Sequence, residues 1–294
     1  MHVKLNLNGS VDAFVTYLKN FAKIRPSLLI EIDTNKRAFI AKTFSEDRAS
    51  IRFSAISFED CNMNVVEHDG EDTLGKNRIK AAIIQQLPKF IRIIERFGSD
   101  VDDKGNCNFD INIEYGELKN QDNETDFAAT TIAFSSKILK MKMEGFRISE
   151  LKYLSDDVFN KSVFNVEDSV DFVLPSSAIS SIIKTSDIVK IDPKKDALIF
   201  YLEKNDVYVK DNTGKNNQPN FVYKIGELAQ TTDYPIRISI FREKFIQMMD
   251  KTDDDYRVIL GHHKQPSGEY AVDRILFEST KNDTKIVISI INEG

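Results

Sequence analysis

Two short segments of the chain are similar in sequence and in setting. Residues 87–97 (LPKFIRIIERF) and 242–251 (REKFIQMMDK) share Lys-Phe-Ile at the same point of the segment. Each follows a short apolar stretch with strand character, at residues 81–84 and 236–240, and each precedes a turn and another strand. Such an internal repeat predicts two similar structural units within one polypeptide.

Both segments are amphipathic at helical spacing. The apolar face of the first comprises Phe90, Ile91, Ile94 and Phe97. The apolar face of the second comprises Phe241, Phe245, Met248 and Met249. Pro88 suits the first turn of a helix, where its missing N–H has no intrahelical partner to lose. We therefore predict two helices that bury one side on a core and turn their cations outward.

The composition is that of a folded protein with about two domains. Of the 294 residues, 41% are hydrophobic and 10% are aromatic. No apolar run approaches the roughly 20 residues that a membrane-spanning helix needs. The first ten residues lack the apolar core of a signal peptide. We expect a cytoplasmic protein, in the host cytoplasm if it is viral, with no membrane partner.

The residues that usually carry catalysis or bind metals are sparse. Cys61 and Cys107 have no nearby set of ligands, and the adjacent His262 and His263 point to opposite faces of a predicted strand. No Ser/His/Asp or Cys/His combination has a catalytic context. Residues 70–77 (GEDTLGKN) resemble a phosphate-binding loop but place asparagine where a magnesium ligand is needed. The sequence predicts no enzyme, no metal and no cofactor.

The order of predicted elements repeats along the chain. Each half has an early helix, a run of strands, a late helix and further strands. The helices are predicted at residues 11–24, 87–97, 175–188 and 241–251. We predict an α+β fold of two sheet-rich domains, residues 1–147 and 170–294, joined by a connector at residues 148–169. Each domain is expected to have two helices packed on one face of antiparallel sheets.

Positive charge is concentrated on the four predicted helices. They carry nine cations and five anions, a net charge of +4, whereas the whole chain has a net charge of −6 and the remainder therefore −10. Cations on flexible side chains attract phosphates without reading bases. The helices therefore favour sequence-independent contact with duplex DNA.

The chain resembles the DNA sliding clamp superfamily, which includes the proliferating cell nuclear antigen. The segment YLKNFAKI at residues 17–24 is similar to the opening helix of the clamps of T-even-like tailed phages. The segments SLLIEID, RAFIAKTF and RASIRFSAI, which follow it, are similar to the next strands of those clamps. The resemblance spans essentially the whole chain.

The resemblance implies a ring of three two-domain subunits whose helices line a hole for duplex DNA. Such a ring tethers the replicative DNA polymerase and does no chemistry itself. The residues that would face DNA are Lys19, Lys23, Lys89, Arg92, Arg96, Lys184, Arg242, Lys244 and Lys251.

The resemblance also implies docking of peptides from DNA polymerase and from a clamp loader ATPase near the connector. The candidates for this site are Leu154, Val158, Phe159, Ile290 and Ile291. Packing beneath the connector is an equally good interpretation of these hydrophobic residues. Subunits of the homotrimer are expected to join through sheet edges, for which we predict residues 137–143 and 218–225.

Two other classes of protein fit part of the pattern. One is a structural assembly protein with β-rich domains and no DNA in a channel. The other is an enzyme with a β-rich fold, although its carboxylates are scattered through loops where solvation explains them.

Overall fold

The computed structural model describes residues 1–69, 78–119, 125–145, 148, 151, 159, 168–188, 196–211, 221–228, 237–249, 254–264 and 270–291. In this part of the chain the helices are α1 (Asp12–Ala22), α2 (Leu87–Gly98), α3 (Ser176–Ile188) and α4 (Arg242–Met248). The strands of the first half are β1 (His2–Gly9), β2 (Leu28–Asp33), β3 (Ala38–Phe44), β4 (Ser50–Ser57), β5 (Met63–His68), β6 (Arg78–Ile83), β7 (Cys107–Lys119), β8 (Thr125–Ser135) and β9 (Lys140–Glu144). The strands of the second half are β10 (Asp168–Leu174), β11 (Ala197–Glu203), β12 (Asp206–Asp211), β13 (Val222–Glu227), β14 (Arg237–Phe241), β15 (Tyr256–Lys264), β16 (Tyr270–Ser279) and β17 (Thr284–Ser289).

The predicted α+β class, with few helices and many antiparallel strands, is confirmed. Among the described residues, no helix is both long enough and apolar enough to cross a membrane. By their internal contacts the residues form two compact units. Unit 1 comprises Met1–Phe44 and Phe53–Leu154, and unit 2 comprises Ser45–Arg52 and Ser155–Gly294. The predicted domain boundaries themselves stay a prediction.

Unit 1 is built on a sheet with the strand order β3-β2-β6-β8-β7-β1-β5, and β9 also pairs with β8. Strand β1 alternates buried and outward residues, with Val3, Leu5 and Leu7 fully buried. This period of two gives the sheet one apolar face and one polar face. Strand β8 pairs with β6 through Phe127 and Ala128, and its later residues pair with β9.

Helices α1 and α2 cover the apolar face of this sheet. The ring of Phe14 on α1 stacks on Phe39 with 4.6 Å between ring centroids. On α2, Phe90 lies 5.7 Å from Phe134, and Phe97 also packs against Phe134. All these residues belong to one hydrophobic core. The apolar face predicted for residues 87–97 from helical spacing is thus the buried face of α2.

The ends of the helices depart from the prediction in one important place. Helix α4 ends at Met248, three residues before the predicted end, because Met249 has extended backbone angles (φ −79°, ψ 144°). The carbonyl of Met248 accepts a hydrogen bond from Arg52 Nη1 at 2.5 Å. A distant arginine therefore satisfies a backbone group that the helix end leaves unpaired.

Unit 2 contains two sheets, β10-β15-β16-β17 and β13-β12-β11-β14. Its core includes Phe200, Phe245 and Phe277, whose ring centroids lie 5.9–6.4 Å apart. The first turn of α3 is capped from another part of the chain, since Ser176 N donates to Asp255 Oδ1 at 2.8 Å. The carboxylate thus satisfies a free N–H of the helix N-terminus.

The segment Ser45–Arg52 belongs to unit 2 although it lies in the first half of the sequence. Ser289 N donates to Ala49 O at 2.8 Å. Arg52 is fully enclosed and bonds to the end of α4, as described above. Unit 2 is therefore not continuous in sequence.

Glycine at position 98 permits the close approach of α2 to the start of α1. A Cβ atom at Gly98 would lie 2.4 Å from Val11 Cγ2. Helix propensity alone favours alanine over glycine by about 1 kcal/mol. We nevertheless expect Gly98→Ala to lower the unfolding free energy by about 1–3 kcal/mol, because overpacking forces the helices apart. Urea denaturation measures this loss.

The matched control is the double variant Val11→Ala/Gly98→Ala, which removes the side chain that the new methyl group meets. We expect its loss of unfolding free energy to be smaller than the sum of the losses in the two single variants, because the clash is absent. If Gly98→Ala is as stable as the wild type, the described contact between α1 and α2 is wrong.

Candidate nucleic-acid interface

The outward side of α2 carries a row of exposed cations. Lys89, Arg92 and Arg96 are all exposed and are spaced at i, i+3 and i+7, which places them along one side of the helix. Arg96 Nη1 donates to Ser99 Oγ at 2.9 Å, which holds the guanidinium near the end of the helix. In the part of the chain that the structure describes, Lys89 and Arg92 form no ion pair.

Helix α1 and the residue that caps its C-terminus add two cations beside this row. Lys19 is exposed, and its Nζ lies 2.7 Å from Glu95 Oε1 on α2. Lys23 Nζ donates to Asn20 Oδ1 at 3.0 Å. The ion pair between Lys19 and Glu95 is solvent-exposed and contributes little to stability. The structure thus brings Lys19, Lys23, Lys89, Arg92 and Arg96 onto one pair of packed helices.

The helices of unit 2 offer fewer cations. Lys184 on α3 is exposed, as predicted. Lys251 lies outside the described residues. Lys244 on α4 is not turned freely to solvent: its Nζ lies 2.9 Å from Asp47 Oδ2, and its side chain is 16% exposed. Its positive charge is therefore largely compensated.

The carboxyl group of Asp47 is held in its ionised form, which favours the ion pair with Lys244. Burial by itself would raise its pKa, but hydrogen bonds from the Ser45 hydroxyl and from Lys244 outweigh burial and lower the pKa to about 2. Asp47 is therefore ionised throughout the neutral range. It also accepts a hydrogen bond from Ala49 N at 3.1 Å, which fixes the turn.

The prediction that Arg242 faces DNA is wrong. Its residue is 2% exposed, and its Nη2 lies 2.9 Å from Asp196 Oδ1 and 3.5 Å from Asp211 Oδ2. Both carboxylates are also buried. Burial and the neighbouring Asp211 outweigh the opposing effect of Arg242 and raise the pKa of Asp196 to about 6. Arg242 is thus an internal cation that holds together the ends of β11, β12 and α4.

The candidates for peptide docking are only partly described. Leu154 and Val158 lie outside the described residues. Phe159 is 5% exposed, so its ring leaves little surface for a peptide. Ile290 and Ile291 are partly buried, and Ile291 N donates to Ser239 O at 2.7 Å.

Near the start of the connector, Ile148 and Leu151 are buried with Ala82 and Ala128 of unit 1. The sequence analysis did not predict partners for either residue. Ala82 and Ala128 are small and leave room for the larger side chains of Ile148 and Leu151. The small size of these two alanines is the only indication of this contact in the sequence.

Both predicted sheet edges are edges among the described strands. Strand β9 pairs only with β8, and β13 pairs only with β12. Each edge exposes apolar side chains: Ile138 (74%) and Met141 (37%) at or just before β9, and Val222 (51%) on β13. Unpaired backbone groups beside exposed apolar residues are typical of edges that pair with another chain.

The structure brings together one group of possible metal ligands that the sequence did not predict. His2 Nε2 lies 3.2 Å from Glu67 Oε1, and His2 Nδ1 lies 2.6 Å from Asp69 Oδ2. The three residues meet because β1 pairs with β5, which nothing in their local sequence indicates. Glu67 and Asp69 are exposed and His2 is half-buried, and contacts of the imidazole with the two carboxylates account for the arrangement.

The structure resembles solved DNA clamps over nearly its whole length. The proliferating cell nuclear antigen (PCNA) of A. fulgidus, solved with the C-terminal region of FEN-1, is 10% identical, with 99% of each chain covered and a TM-score of 0.61. The PCNA of Entamoeba histolytica is 11% identical, with 98% of each chain covered and a TM-score of 0.60. The beta clamp of Helicobacter pylori, bound to a DNA ligase peptide, is 10% identical, with 98% of this chain and 66% of that chain covered and a TM-score of 0.57.

The sequence matches no protein-family model and no curated protein. At 10–11% identity the likeness is one of architecture, and it extends over all the predicted elements that the structure describes. The resemblance inferred from the order of helices and strands is confirmed: the chain has the fold of the DNA sliding clamps.

Proposed function

We propose that this chain is a sliding clamp, a DNA polymerase processivity factor that surrounds duplex DNA as a ring of three copies and does no chemistry itself. The observation that carries the proposal is the row of exposed cations on α2, beside those of α1, in a chain with the clamp fold. Cations of this kind hold phosphates without reading base sequence. Retention then comes from closure of the ring, so individual contacts are weak enough for sliding.

The two sheet edges support assembly into a ring. Pairing β9 of one copy with β13 of the next is a head-to-tail contact, because the two copies contribute different surfaces. Head-to-tail contacts close into a ring when the rotation between copies permits it. Lys140 and Lys142 outnumber Glu144 among the exposed charges of β9, whereas Lys224 and Glu227 on β13 pair with each other.

Partners are proposed to dock by short peptides, as DNA polymerase and clamp loader tails do on clamps. Two solved clamps of this fold carry such segments, from FEN-1 and from DNA ligase. For this chain the docking residues stay a prediction, with Ile290 and Ile291 as the candidates that the structure describes as partly exposed. The closer likeness to tailed-phage clamps and the cytoplasmic location also stay predictions.

The decisive experiment compares circular and linear DNA. The protein is loaded with a clamp loader ATPase onto nicked circular duplex DNA, and the complex is washed with salt that abolishes ordinary electrostatic binding. We expect the protein to remain on the circle and to leave once the DNA is cut with a restriction enzyme. A structural assembly protein without a channel would be lost from both forms in high salt.

Charges placed on the two edges should disrupt the ring in a defined way. We expect Ile138→Asp/Met141→Asp, and separately Val222→Asp, to yield monomers by light scattering while the wild type yields three copies. The new carboxylates would be desolvated at the contact and would oppose pairing. Each variant should retain the thermal stability of the wild-type protomer, because these side chains are exposed.

Mixing the two edge variants is the matched control. Each has one intact edge of the opposite kind, so the mixture should form a dimer and stop there. Dimers formed by either variant alone would show that each edge pairs with its own kind, which would contradict the head-to-tail arrangement.

A further inference from the structure

Two helices pack side by side in unit 1, and two further helices belong to unit 2, but the outward faces of the two pairs differ in charge. We define the α1–α2 surface by the five cations Lys19, Lys23, Lys89, Arg92 and Arg96 and the two anions Asp12 and Glu95. All five cations are exposed. This surface therefore has a clear positive excess.

Helix α3 offers mainly hydroxyl groups. Its sequence, SSAISSIIKTSDI, has four serines in the first six residues and a single cation, Lys184. Ser177 is exposed, and Ser181 Oγ donates to the carbonyl of Ser177 at 2.8 Å. The described outward side of α3 is thus nearly uncharged.

Helix α4 adds little positive charge in its described residues. Arg242 is buried between Asp196 and Asp211. Lys244 is paired with Asp47, and Glu243 is exposed. The sequence analysis assigned Arg242 and Lys244 to the DNA-facing surface, but neither contributes an uncompensated charge there.

We infer that the phosphate backbone of duplex DNA is held mainly by the α1–α2 surface of each copy, while α3 and α4 present a nearly neutral, hydroxyl-bearing surface. This inference rests on the proposed function and specifies which part of the chain binds DNA. Each uncompensated cation that neutralises a phosphate adds to affinity and to its salt dependence.

The test measures binding of the full-length protein to a short linear duplex by fluorescence anisotropy over a series of KCl concentrations. We expect Lys89→Gln/Arg92→Gln to weaken binding about tenfold or more at low salt and to reduce the salt slope by about two, one for each lost phosphate contact. Lys184→Gln/Lys244→Gln removes the same formal charge from unit 2. For that variant we expect a loss of no more than about threefold and a slope change below about one.

Two further variants sharpen the comparison. Lys36→Gln/Lys104→Gln removes two exposed charges from turns outside the helices and corrects for the change in net charge. Asp47→Asn keeps a hydrogen-bond acceptor in its turn but releases the charge of Lys244, so it should strengthen binding about twofold. Circular dichroism verifies that each variant is folded.

Equal losses of DNA affinity in Lys89→Gln/Arg92→Gln and in Lys184→Gln/Lys244→Gln would overturn the inference. So would a salt slope of Lys89→Gln/Arg92→Gln that equals the slope of the wild type. These outcomes differ from failure of the proposed function. In that case the wild type itself binds no duplex and is not retained on circular DNA.

Discussion

Replacement of Arg242 by methionine is expected to lower the free energy of unfolding by about 3–5 kcal/mol. Methionine has a similar length, but it leaves Asp196 and Asp211 buried without their cation. Removal of one partner from a buried ion pair is costly because the remaining charge has lost both water and its counterion. Urea denaturation at neutral pH, followed by circular dichroism, measures the change.

Asp196→Asn is the matched variant, since it retains the pair between Arg242 and Asp211. We expect it to be at least as stable as the wild type at neutral pH, because it removes a buried carboxylate whose ionisation the site opposes and keeps the pair between Arg242 and Asp211. If Arg242→Met is no more destabilising than Asp196→Asn, the cluster is not the internal support that the structure indicates.

The same site makes stability depend on pH. Burial raises the pKa of Asp196 from 3.8 to about 6 in the folded chain. The folded state therefore binds this proton more tightly than the unfolded state, and the stability gained is fully present below about pH 4. It is lost as the pH rises from about 4 to about 6, with a total of about 3 kcal/mol at 1.36 kcal/mol per unit of pKa. Asp196→Asn should remove this part of the pH profile, which denaturation at a series of pH values detects.

Reversal of the α2 row is expected to abolish the function while leaving the fold intact. In Lys89→Glu/Arg92→Glu/Arg96→Glu, three exposed cations become anions on a surface that is proposed to meet phosphates. We expect binding to duplex DNA to weaken by at least about 100-fold at low salt, because attraction is replaced by repulsion. Stimulation of polymerase processivity on primed circular DNA should be lost.

The control for this variant reverses three exposed lysines in turns, Lys36→Glu/Lys104→Glu/Lys204→Glu. It changes the net charge by the same amount but should retain DNA binding within about threefold. Both variants should form trimers by light scattering and should unfold near the wild-type temperature. If the α2 variant still stimulates the polymerase, the cations of α2 do not face DNA.

Much of the architecture was predictable because it depends on local periodicity. Apolar residues at helical spacing identified α2 and the face that it buries, and helices were also predicted where α1 and α3 lie. Exposure of Lys89, Arg92 and Arg96 follows from the same spacing, since the residues opposite an apolar stripe face solvent. The repeated order of elements then indicated the clamp fold, which the solved structures confirm.

Spacing on one helix did not reveal which cations have internal partners. Arg242 lies 46 residues after Asp196 and 31 residues after Asp211 in the sequence, and the three meet only because β11, β12 and α4 converge. The charge of Lys244 is compensated by Asp47, and the carbonyl of Met248 at the end of α4 accepts a hydrogen bond from Arg52. Asp47 and Arg52 both belong to a segment from the first half of the chain. The sequence determined the positions of the helices and strands and the outward side of α2, because neighbours along the chain set those. Only the tertiary structure decided which charges remain available to DNA, because the pairing of a charge depends on residues that folding brings together.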